Sequence, residues 1–428
     1  MHPGLVDERF LLMIRQFFSF VIFSGLTVSS VFSEEGWPQW RGPDRTGAVT
    51  SETAWPEKLG GDHLTEIWKT SLDEGYSAPV SADGRVYTVA TKGEQSEVVR
   101  AFDLETGTQL WEASWEGAMK VPFFANKNGS WVRSTPTVTD GAIYVGGMRD
   151  VLVKLDSATG KEIWRIDFTE REGTEIPSFG HVCSPLVEGG AVYLQAGLAV
   201  TKLNAETGET IWRSMEDERA MFGSAFSSPM LVQVAGTRQL LVQARMSLAG
   251  LDPETGKELW STPVKAFRGM NILTPTVVGG NQIFTASYGG GSFLFTIDKE
   301  GEGKFSVKQT WNSEKLEGYM GSPVVVGDHV YLHGRDKKLH CIELATGKAA
   351  WSTEEVFGEY WSMMNKGDRI LALDQKGELF LFRADPGEFQ LVDRKVVSTG
   401  DPTWAHVGLD GNRVLIRSLK GLKVMQWQ

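Results

Sequence analysis

A short motif returns five times along the chain, and its fixed spacing constrains the fold more than any other feature. The copies begin at Ala101, Lys154, Lys202, Gly250 and Cys341, and the first reads AFDLETGTQLW. Each copy carries a Thr-Gly pair whose glycine stands four residues before a Trp. Glycine supplies the positive φ that tight turns commonly need, so each copy is predicted to be a β-hairpin whose second strand carries the Trp.

A second pattern precedes each hairpin and extends the repeat. A Ser-Pro or Thr-Pro pair, or a close variant such as Ser77-Ala78-Pro79, opens a short strand, and a Gly-containing turn and a β-rich run follow. With two weaker copies near Trp361 and Trp404, the pattern predicts eight units of about 45 residues with four short strands each. We therefore predict an all-β fold over residues 65–428, an eight-bladed propeller of four-stranded antiparallel blades.

The two ends of the repeat region complement each other. The last unit stops at Gln428 after its third strand, and an unpaired strand at residues 65–70 precedes the first unit. We predict that this N-terminal strand completes the last blade and closes the ring. In seven of the eight units one Trp is expected to dock neighbouring blades, and these residues are Trp68, Trp111, Trp164, Trp212, Trp260, Trp311 and Trp351.

Residues 1–33 have the pattern of an export signal, with a hydrophobic run from Phe17 to Leu26. The start is Met1 or Met13, and a cleaved signal predicts a periplasmic or secreted protein, with an uncleaved anchor as the alternative.

Residues 34–64 are punctuated by Pro and Gly and contain three tryptophans. We interpret them as an extended strap across the folded body, because a disordered linker would not carry so much apolar surface.

The composition of the chain limits the class of partner that it can bind. The net charge of −11 argues against nucleic acid as the main partner. The only two cysteines, Cys183 and Cys341, fall on separate units and are expected to be buried free thiols. A monomer is expected.

The Trp motif resembles the tryptophan-docking repeat of the pyrroloquinoline-quinone (PQQ) propeller family, written A-x-D-x-x-T-G-x-x-x-W. Ala101, Asp103, Thr106, Gly107 and Trp111 match it in full. The resemblance implies the propeller fold. It leaves the function open, because the family includes quinoprotein dehydrogenases and also BamB, the non-catalytic propeller of the outer-membrane β-barrel assembly machinery. The opening WPQWRGP at residues 37–43 is similar to that of exported bacterial members without an assigned activity.

The markers of the dehydrogenases are missing from this sequence. It contains neither a pair of adjacent cysteines nor a C-x-x-C-H haem motif. The Glu, Asn and Asp that bind Ca²⁺ in those enzymes cannot be placed on matching positions of this sequence. No cofactor, catalytic residue or metal ligand is therefore assigned, and a divergent PQQ-dependent oxidoreductase with PQQ and Ca²⁺ is the alternative.

A partner surface is predicted from topology. The d-to-a and b-to-c loops of a propeller share one face, and here they are rich in aromatic and arginine residues, as recognition surfaces are. The alternative is that these aromatics plug the axial channel or pack between blades. We expect this face to bind a protein or polysaccharide of the cell envelope, with a carbohydrate-active propeller as a third hypothesis. The candidate residues are Phe124, Trp131, Arg149, Phe179, His181, Phe222, Arg245, Arg268, Arg335, Tyr360, Trp361, Trp404 and His406.

Overall fold

The computed structural model describes residues 1, 36–53, 55–217 and 225–428. The predicted export signal, apart from Met1, lies outside the described residues. Within the described ranges, the helical segments are one α-helix, α1 (Phe168–Glu172), and three short 3-10 helices at Gly61–His63, Phe123–Asn128 and Phe267–Gly269. No helix in this part of the chain is both long and apolar enough to cross a membrane.

The described strands form eight four-stranded antiparallel sheets, which confirms the eight-bladed propeller. The first strand, β1, is Leu64–Ser71. Blade 1 consists of β2 (Val80–Ala82), β3 (Arg85–Lys92), β4 (Ser96–Asp103) and β5 (Gln109–Glu116). Blade 2 consists of β6 (Thr137–Thr139), β7 (Ala142–Gly147), β8 (Val151–Asp156) and β9 (Glu162–Asp167). Blade 3 consists of β10 (Leu186–Glu188), β11 (Ala191–Ala196), β12 (Ala199–Asn204) and β13 (Thr210–Ser214).

The same order continues around the ring. Blade 4 consists of β14 (Met230–Val234), β15 (Thr237–Gln243), β16 (Ser247–Leu251) and β17 (Glu258–Pro263). Blade 5 consists of β18 (Thr276–Val278), β19 (Gln282–Ser287), β20 (Gly291–Gly301) and β21 (Lys304–Ser313). Blade 6 consists of β22 (Val324–Val326), β23 (His329–His333), β24 (Leu339–Glu343) and β25 (Ala349–Ser352). Blade 7 consists of β26 (Trp361–Lys366), β27 (Arg369–Asp374), β28 (Glu378–Arg383) and β29 (Gln390–Val396).

The ring is closed in blade 8 by the N-terminal strand. This blade consists of β30 (Gly408–Asp410), β31 (Arg413–Ser418) and β32 (Gly421–Trp427), with β1 as its outer strand. β1 pairs with β32 from Leu64 opposite Trp427 to Ser71 opposite Gly421. The predicted closure is therefore confirmed, because the two ends of the repeat region share one sheet.

The Thr-Gly turn is held by its own acidic residue. In the first copy, one carboxylate oxygen of Asp103 accepts hydrogen bonds from the backbone N–H and the hydroxyl of Thr106, both at 2.8 Å. These bonds lower the pKa of Asp103 below its ordinary value. Gly107 follows with a φ of +70°. The same carboxylate-to-Thr bonds recur at Asp156 and Asp252, so the motif is a turn with a fixed local geometry.

Six of the seven repeated tryptophans bond to the turn of the next blade. The indole N–H of Trp111 donates to the carbonyl of Ser157 at 3.0 Å, and a Cβ at Gly160 would lie 2.5 Å from its ring. Trp68, Trp164, Trp212, Trp311 and Trp351 likewise donate to a carbonyl of the following blade. Trp260 differs, because blade 5 has an expanded turn, and it donates instead to Gln239 of its own blade at 2.6 Å.

The core lies between the blades. One buried cluster joins Tyr87 and Val99 of blade 1 to Val145 and Val153 of blade 2. Cys183 and Cys341 are both buried and free, as predicted. Burial raises the pKa of their thiols to about 12 and about 11 respectively, so neither is a thiolate at neutral pH.

Candidate functional site

The N-terminal strap enters the axial channel. The backbone N–H of Trp37 donates to the hydroxyl of Ser81, in the innermost strand of blade 1, at 3.0 Å. The indole N–H of Trp40 donates to the hydroxyl of Thr274, at the start of the innermost strand of blade 5, at 3.1 Å. Blades 1 and 5 stand on opposite sides of an eight-bladed ring. The segment 37–45 therefore lies across the channel.

Two arginines fix this segment to further blades. Arg41 and Arg45 are 1% and 2% exposed. Arg45 donates to the carbonyl oxygens of Pro185 and Ser184, both at 2.8 Å, and Arg41 donates to the carbonyl of Pro323. Burial lowers the pKa of each guanidinium to about 10, so both remain charged at neutral pH.

The first half of the strap is not extended, contrary to the sequence interpretation. Consecutive turns reverse the chain, with Gly42 N–H donating to the carbonyl of Gln39 and Gly47 N–H to that of Arg41. From Ala48, which pairs with Asn365, the strap crosses blade 7 and runs on to β1.

Above Trp40 the loops enclose a cavity of about 430 Å³, which we call the funnel. Its aromatic walls come from the d-to-a and b-to-c connections of several blades, and Trp40 stands at its inner end. The rings form three groups of three, with centroid separations of 5.3–6.2 Å. These groups are Phe124, Phe179 and Phe226; Phe267, Tyr288 and Tyr319; and Tyr360, Trp404 and Tyr76.

The funnel also contains arginine. Arg133 lies over the ring of Tyr76 at 5.9 Å and donates to the carbonyl of Phe179 at 2.9 Å. Burial lowers the pKa of Arg133, and neighbouring Tyr76 opposes that shift. Among the described residues, no carboxylate forms an ion pair with Arg133. Arg268, with its guanidinium 5.1 Å from the ring centroid of Phe267, lines another wall.

At the rim of the funnel, basic side chains form ion pairs with acidic side chains. Arg335 lies 4.4 Å from the ring centroid of Tyr288 and pairs with Glu317 at 3.0 Å. Lys337 pairs with Glu359 at 3.4 Å. The rim pairs are therefore close to neutral, and Arg133 contributes positive charge inside the funnel.

Five of the sequence-predicted face residues line the funnel, and others lie elsewhere. Those in the funnel are Phe124, Phe179, Arg268, Tyr360 and Trp404. Arg335 stands at the rim, and Trp131 lines a neighbouring crevice. Arg149 is exposed beside Glu116, and Arg245 pairs with Asp217 at 2.5 Å. Phe222 lies outside the described residues.

Three predicted face residues belong to the interior instead. His181, Trp361 and His406 are 3%, 0% and 2% exposed. The ring of His181 bonds to the carboxylate of buried Asp150 at 3.1 Å, and the indole N–H of Trp361 donates to Asp374 at 3.1 Å. Each of these side chains turns inward at the point where a loop enters its blade.

Other funnel residues, among them Tyr76, Arg133, Tyr288 and Trp40, were not among the predicted candidates. Tyr76 and Arg133 lie in d-to-a connections and Tyr288 in a b-to-c turn, so the topological rule could have found them. Trp40 could not be found in this way, because it reaches the funnel from the strap through the channel.

A family model described as outer membrane protein assembly factor BamB matches residues 62–121 and 95–353. The chain belongs to this family. It is 26% identical over 148 residues to BamB of Xanthomonas campestris pv. campestris, which covers 33% of this chain and 34% of that protein.

Enzymes are also similar to this BamB-family chain. The 1-butanol dehydrogenase (cytochrome c) of Thauera butanivorans is 29% identical over 133 residues, which is 29% of this chain and 18% of that enzyme. The crystal structure of BamB from Moraxella catarrhalis has a TM-score of 0.60 at 18% identity, covering 85% of this chain and 98% of that one. The chain thus aligns with about a third or less of each of the two sequence relatives, and the structural likeness shows the fold alone.

In the part of the chain that the structure describes, no carboxylate cluster fits the metal of a quinoprotein. Ca²⁺ binds six to eight oxygen ligands, and carboxylates usually supply several. Within the described residues, no group of three His, Cys, Asp or Glu side chains is placed to hold a metal ion. The rim carboxylates Glu317 and Glu359 are each paired with a basic side chain instead.

Proposed function

We propose that this BamB-family chain is a non-catalytic scaffold of the cell envelope that binds a protein partner through the funnel. The observation that carries the proposal is the ring of nine aromatic side chains around one cavity, with Trp40 at its inner end. Tyr, Trp and Arg are the residue types that dominate binding energy at protein interfaces. Their concentration on one face of the propeller supports that face as the binding surface.

The charge distribution supports a partner segment that carries a carboxylate next to apolar side chains. Arg133 is held in place by Tyr76 and by the carbonyl of Phe179. A guanidinium that is already oriented loses little freedom when it binds a carboxylate, and it can bind both oxygens at once. The rim acids are engaged by Arg335 and Lys337, so they oppose such a segment weakly.

The description of the family indicates the class of partner. The name of the matching model describes a factor in outer membrane protein assembly. We therefore propose that the partner is the barrel component of such an assembly machinery, and that the chain works in the cell envelope beside it.

Site-specific photocrosslinking tests this proposal. A photoreactive residue at Tyr319, in the funnel, is expected to crosslink to the barrel component in cells. The same residue at Lys257, in the exposed β16–β17 turn on the opposite face, is the matched control and is expected not to crosslink. Equal crosslinking at both positions, or none at Tyr319, contradicts the proposal.

Affinity measurements with purified barrel component complete the test. Tyr319→Ala and Arg133→Ala are each expected to weaken binding by about tenfold or more, as interface hot spots do. Ile163→Ala, at an exposed position on the outer strand of blade 2, is expected to leave the affinity unchanged.

The dehydrogenase relatives define the competing hypothesis, a PQQ-dependent oxidoreductase. The purified chain is mixed with PQQ and Ca²⁺ and dialysed, and the quinone absorbance and dye-linked alcohol oxidation are recorded. We expect no retained quinone and no turnover, because the described residues offer no carboxylate cluster for the metal. Retained quinone together with turnover contradicts the scaffold proposal.

A further inference from the structure

A second cavity of about 530 Å³ lies beside the funnel, over the junction of blades 8 and 1. We call it the crevice. One wall is the 118–131 loop, which includes the 3-10 helix Phe123–Asn128, and the turns around Glu94 and Gln375 contribute others. Its size falls within the roughly 300–1,000 Å³ of small-ligand sites. Tyr76 and Trp404 stand between the crevice and the funnel and line both.

The crevice presents one indole that the protein leaves open. Trp131 is half-buried and lines the cavity. Gly129 folds back against the indole with a φ of +78°, and a Cβ there would lie 2.1 Å from Nε1 of Trp131. Within the described residues, no aromatic ring packs on Trp131 and no group accepts its N–H. The funnel rings differ, since each of them contacts another ring.

Polar side chains surround this indole. Glu94, Lys120, Asn126 and Lys127 line the crevice, and none of their side chains forms a hydrogen bond or ion pair with another described residue. They offer a carboxylate acceptor, two ammonium donors and an amide that does both. Both signs of charge are present, so the crevice does not select strongly for an ion of one sign.

We propose that the crevice binds a neutral oligosaccharide, with the indole of Trp131 against the C–H face of one sugar ring. Sugar hydroxyls donate and accept at once, which matches a carboxylate, ammonium groups and an amide in the same cavity as an open indole. For an anionic polymer, Glu94 offsets one of the two ammonium groups, so the crevice offers only a weak net attraction. An apolar peptide would leave the polar groups of the crevice unpaired. This site is separate from the protein partner of the funnel and does not depend on it.

Calorimetric titration of the full chain tests the proposal. The probes are maltohexaose, cellohexaose and chitohexaose, with hexagalacturonate as the acidic comparison and an aromatic-rich hexapeptide as the peptide comparison. We expect at least one neutral hexasaccharide to bind with a Kd below about 1 mM. Absence of neutral binding up to about 10 mM, or binding of only the acidic sugar or only the peptide, overturns the proposal.

Variants place the binding in the crevice. Trp131→Ala is expected to weaken the neutral sugar by about tenfold or more, and Trp131→Phe to retain most of the affinity. Tyr319→Ala, in the funnel, is the matched control and should change sugar affinity less than about twofold. Sugar binding that is insensitive to Trp131→Ala in a protein with an unchanged circular dichroism spectrum overturns the assignment. Trp131→Ala should leave binding to the barrel component intact, so the two proposals fail independently.

Discussion

The indole N–H of Trp68 donates to the carbonyl of Leu104 at 2.8 Å, and this bond joins the first strand of the propeller to the hairpin of blade 1. Trp68 belongs to β1, the outer strand of blade 8, so the contact spans the junction at which the ring closes. Trp111 makes the equivalent contact between blades 1 and 2, to Ser157. The closing junction therefore uses the same Trp contact as a junction between two blades that are consecutive in sequence.

Replacing Trp68 tests how much this junction stabilises the fold. We expect Trp68→Ala to lower the free energy of unfolding by about 2–4 kcal/mol, because it removes a half-buried ring and its hydrogen bond. Trp68→Phe should lose about 1–2 kcal/mol, since a ring remains. Ile67→Ala, at a neighbouring exposed position, is the control and should stay within about 0.5 kcal/mol. Urea unfolding followed by far-ultraviolet circular dichroism measures all three, and equal effects at residues 67 and 68 would exclude a specific docking contact.

Two glycines of blade 1 separate backbone strain from the Trp contact. Gly107 and Gly84 have φ values of +70° and +71°. A Cβ at Gly107 would lie 2.5 Å from the ring of Trp68, whereas a Cβ at Gly84 meets nothing within 4 Å. Gly84→Ala should lose about 1–2 kcal/mol from strain alone. Gly107→Ala should lose about 1–3 kcal/mol more, from the clash with the indole. Equal midpoints in urea for the two variants would contradict this assignment.

The blades and their closure could be predicted because local chemistry fixes them. The bonds from Asp103 to Thr106 and the positive φ of Gly107 lie within five residues, so each copy of the motif carries its own turn. The orphan strand was predictable for a related reason. The repeat lacks one strand at its C-terminal end and has one extra strand at its N-terminal end. Pairing these two ends completes all eight blades.

The path of the strap and the make-up of the funnel could not be predicted in the same way. Arg45 bonds to Ser184 and Arg41 to Pro323, which are separated from them by 139 and 282 residues. No sequence period encodes such contacts. Trp361 was wrongly predicted to lie on the open face because it follows a d-to-a loop. A side chain at the start of a blade can point into the funnel, as that of Tyr360 does, or into the interior, as that of Trp361 does.

Acidification is expected to weaken the fold through His333. Its ring is fully buried and stacks on Trp361 with centroids 5.5 Å apart. Burial lowers the pKa of His333 from 6.5 to about 4. Between these values the unfolded chain binds a proton and the folded chain does not. Stability present above about pH 6.5 is therefore lost as the pH falls, by at most about 3 kcal/mol.

Substitution of His333 checks this origin. His333→Phe keeps a flat ring without a titratable group, so its urea midpoint should fall less between pH 7 and pH 4 than that of the natural chain. His63→Gln, at an exposed position before β1, is the matched control and should keep the natural slope. Parallel slopes for His333→Phe and the natural chain would assign the acid sensitivity to other groups.

Glu97 is expected to act with the opposite sign. Its carboxylate is buried between blades 1 and 2, where it accepts hydrogen bonds from Met148 N–H at 2.6 Å and from the indole of Trp115 at 2.8 Å. Burial outweighs these bonds and raises the pKa of Glu97 to about 7. A raised pKa means that the stabilising contribution is complete below the unfolded value of 4.5 and is lost as the pH rises through 7.

Glu97→Gln removes this titration, so the variant should gain stability relative to the natural chain between pH 4.5 and pH 7.5, by at most about 3 kcal/mol. At acid pH the variant will be less stable than the natural chain, because a Gln amide cannot accept from both Met148 and Trp115. The diagnostic quantity is therefore the change with pH in the stability difference between the variant and the natural chain. Glu116→Gln, whose side chain is 86% exposed at the end of the same blade, is the control and should show a constant difference. A pH-independent difference for Glu97→Gln would mean that Glu97 is ionised throughout, with its two N–H donors outweighing burial.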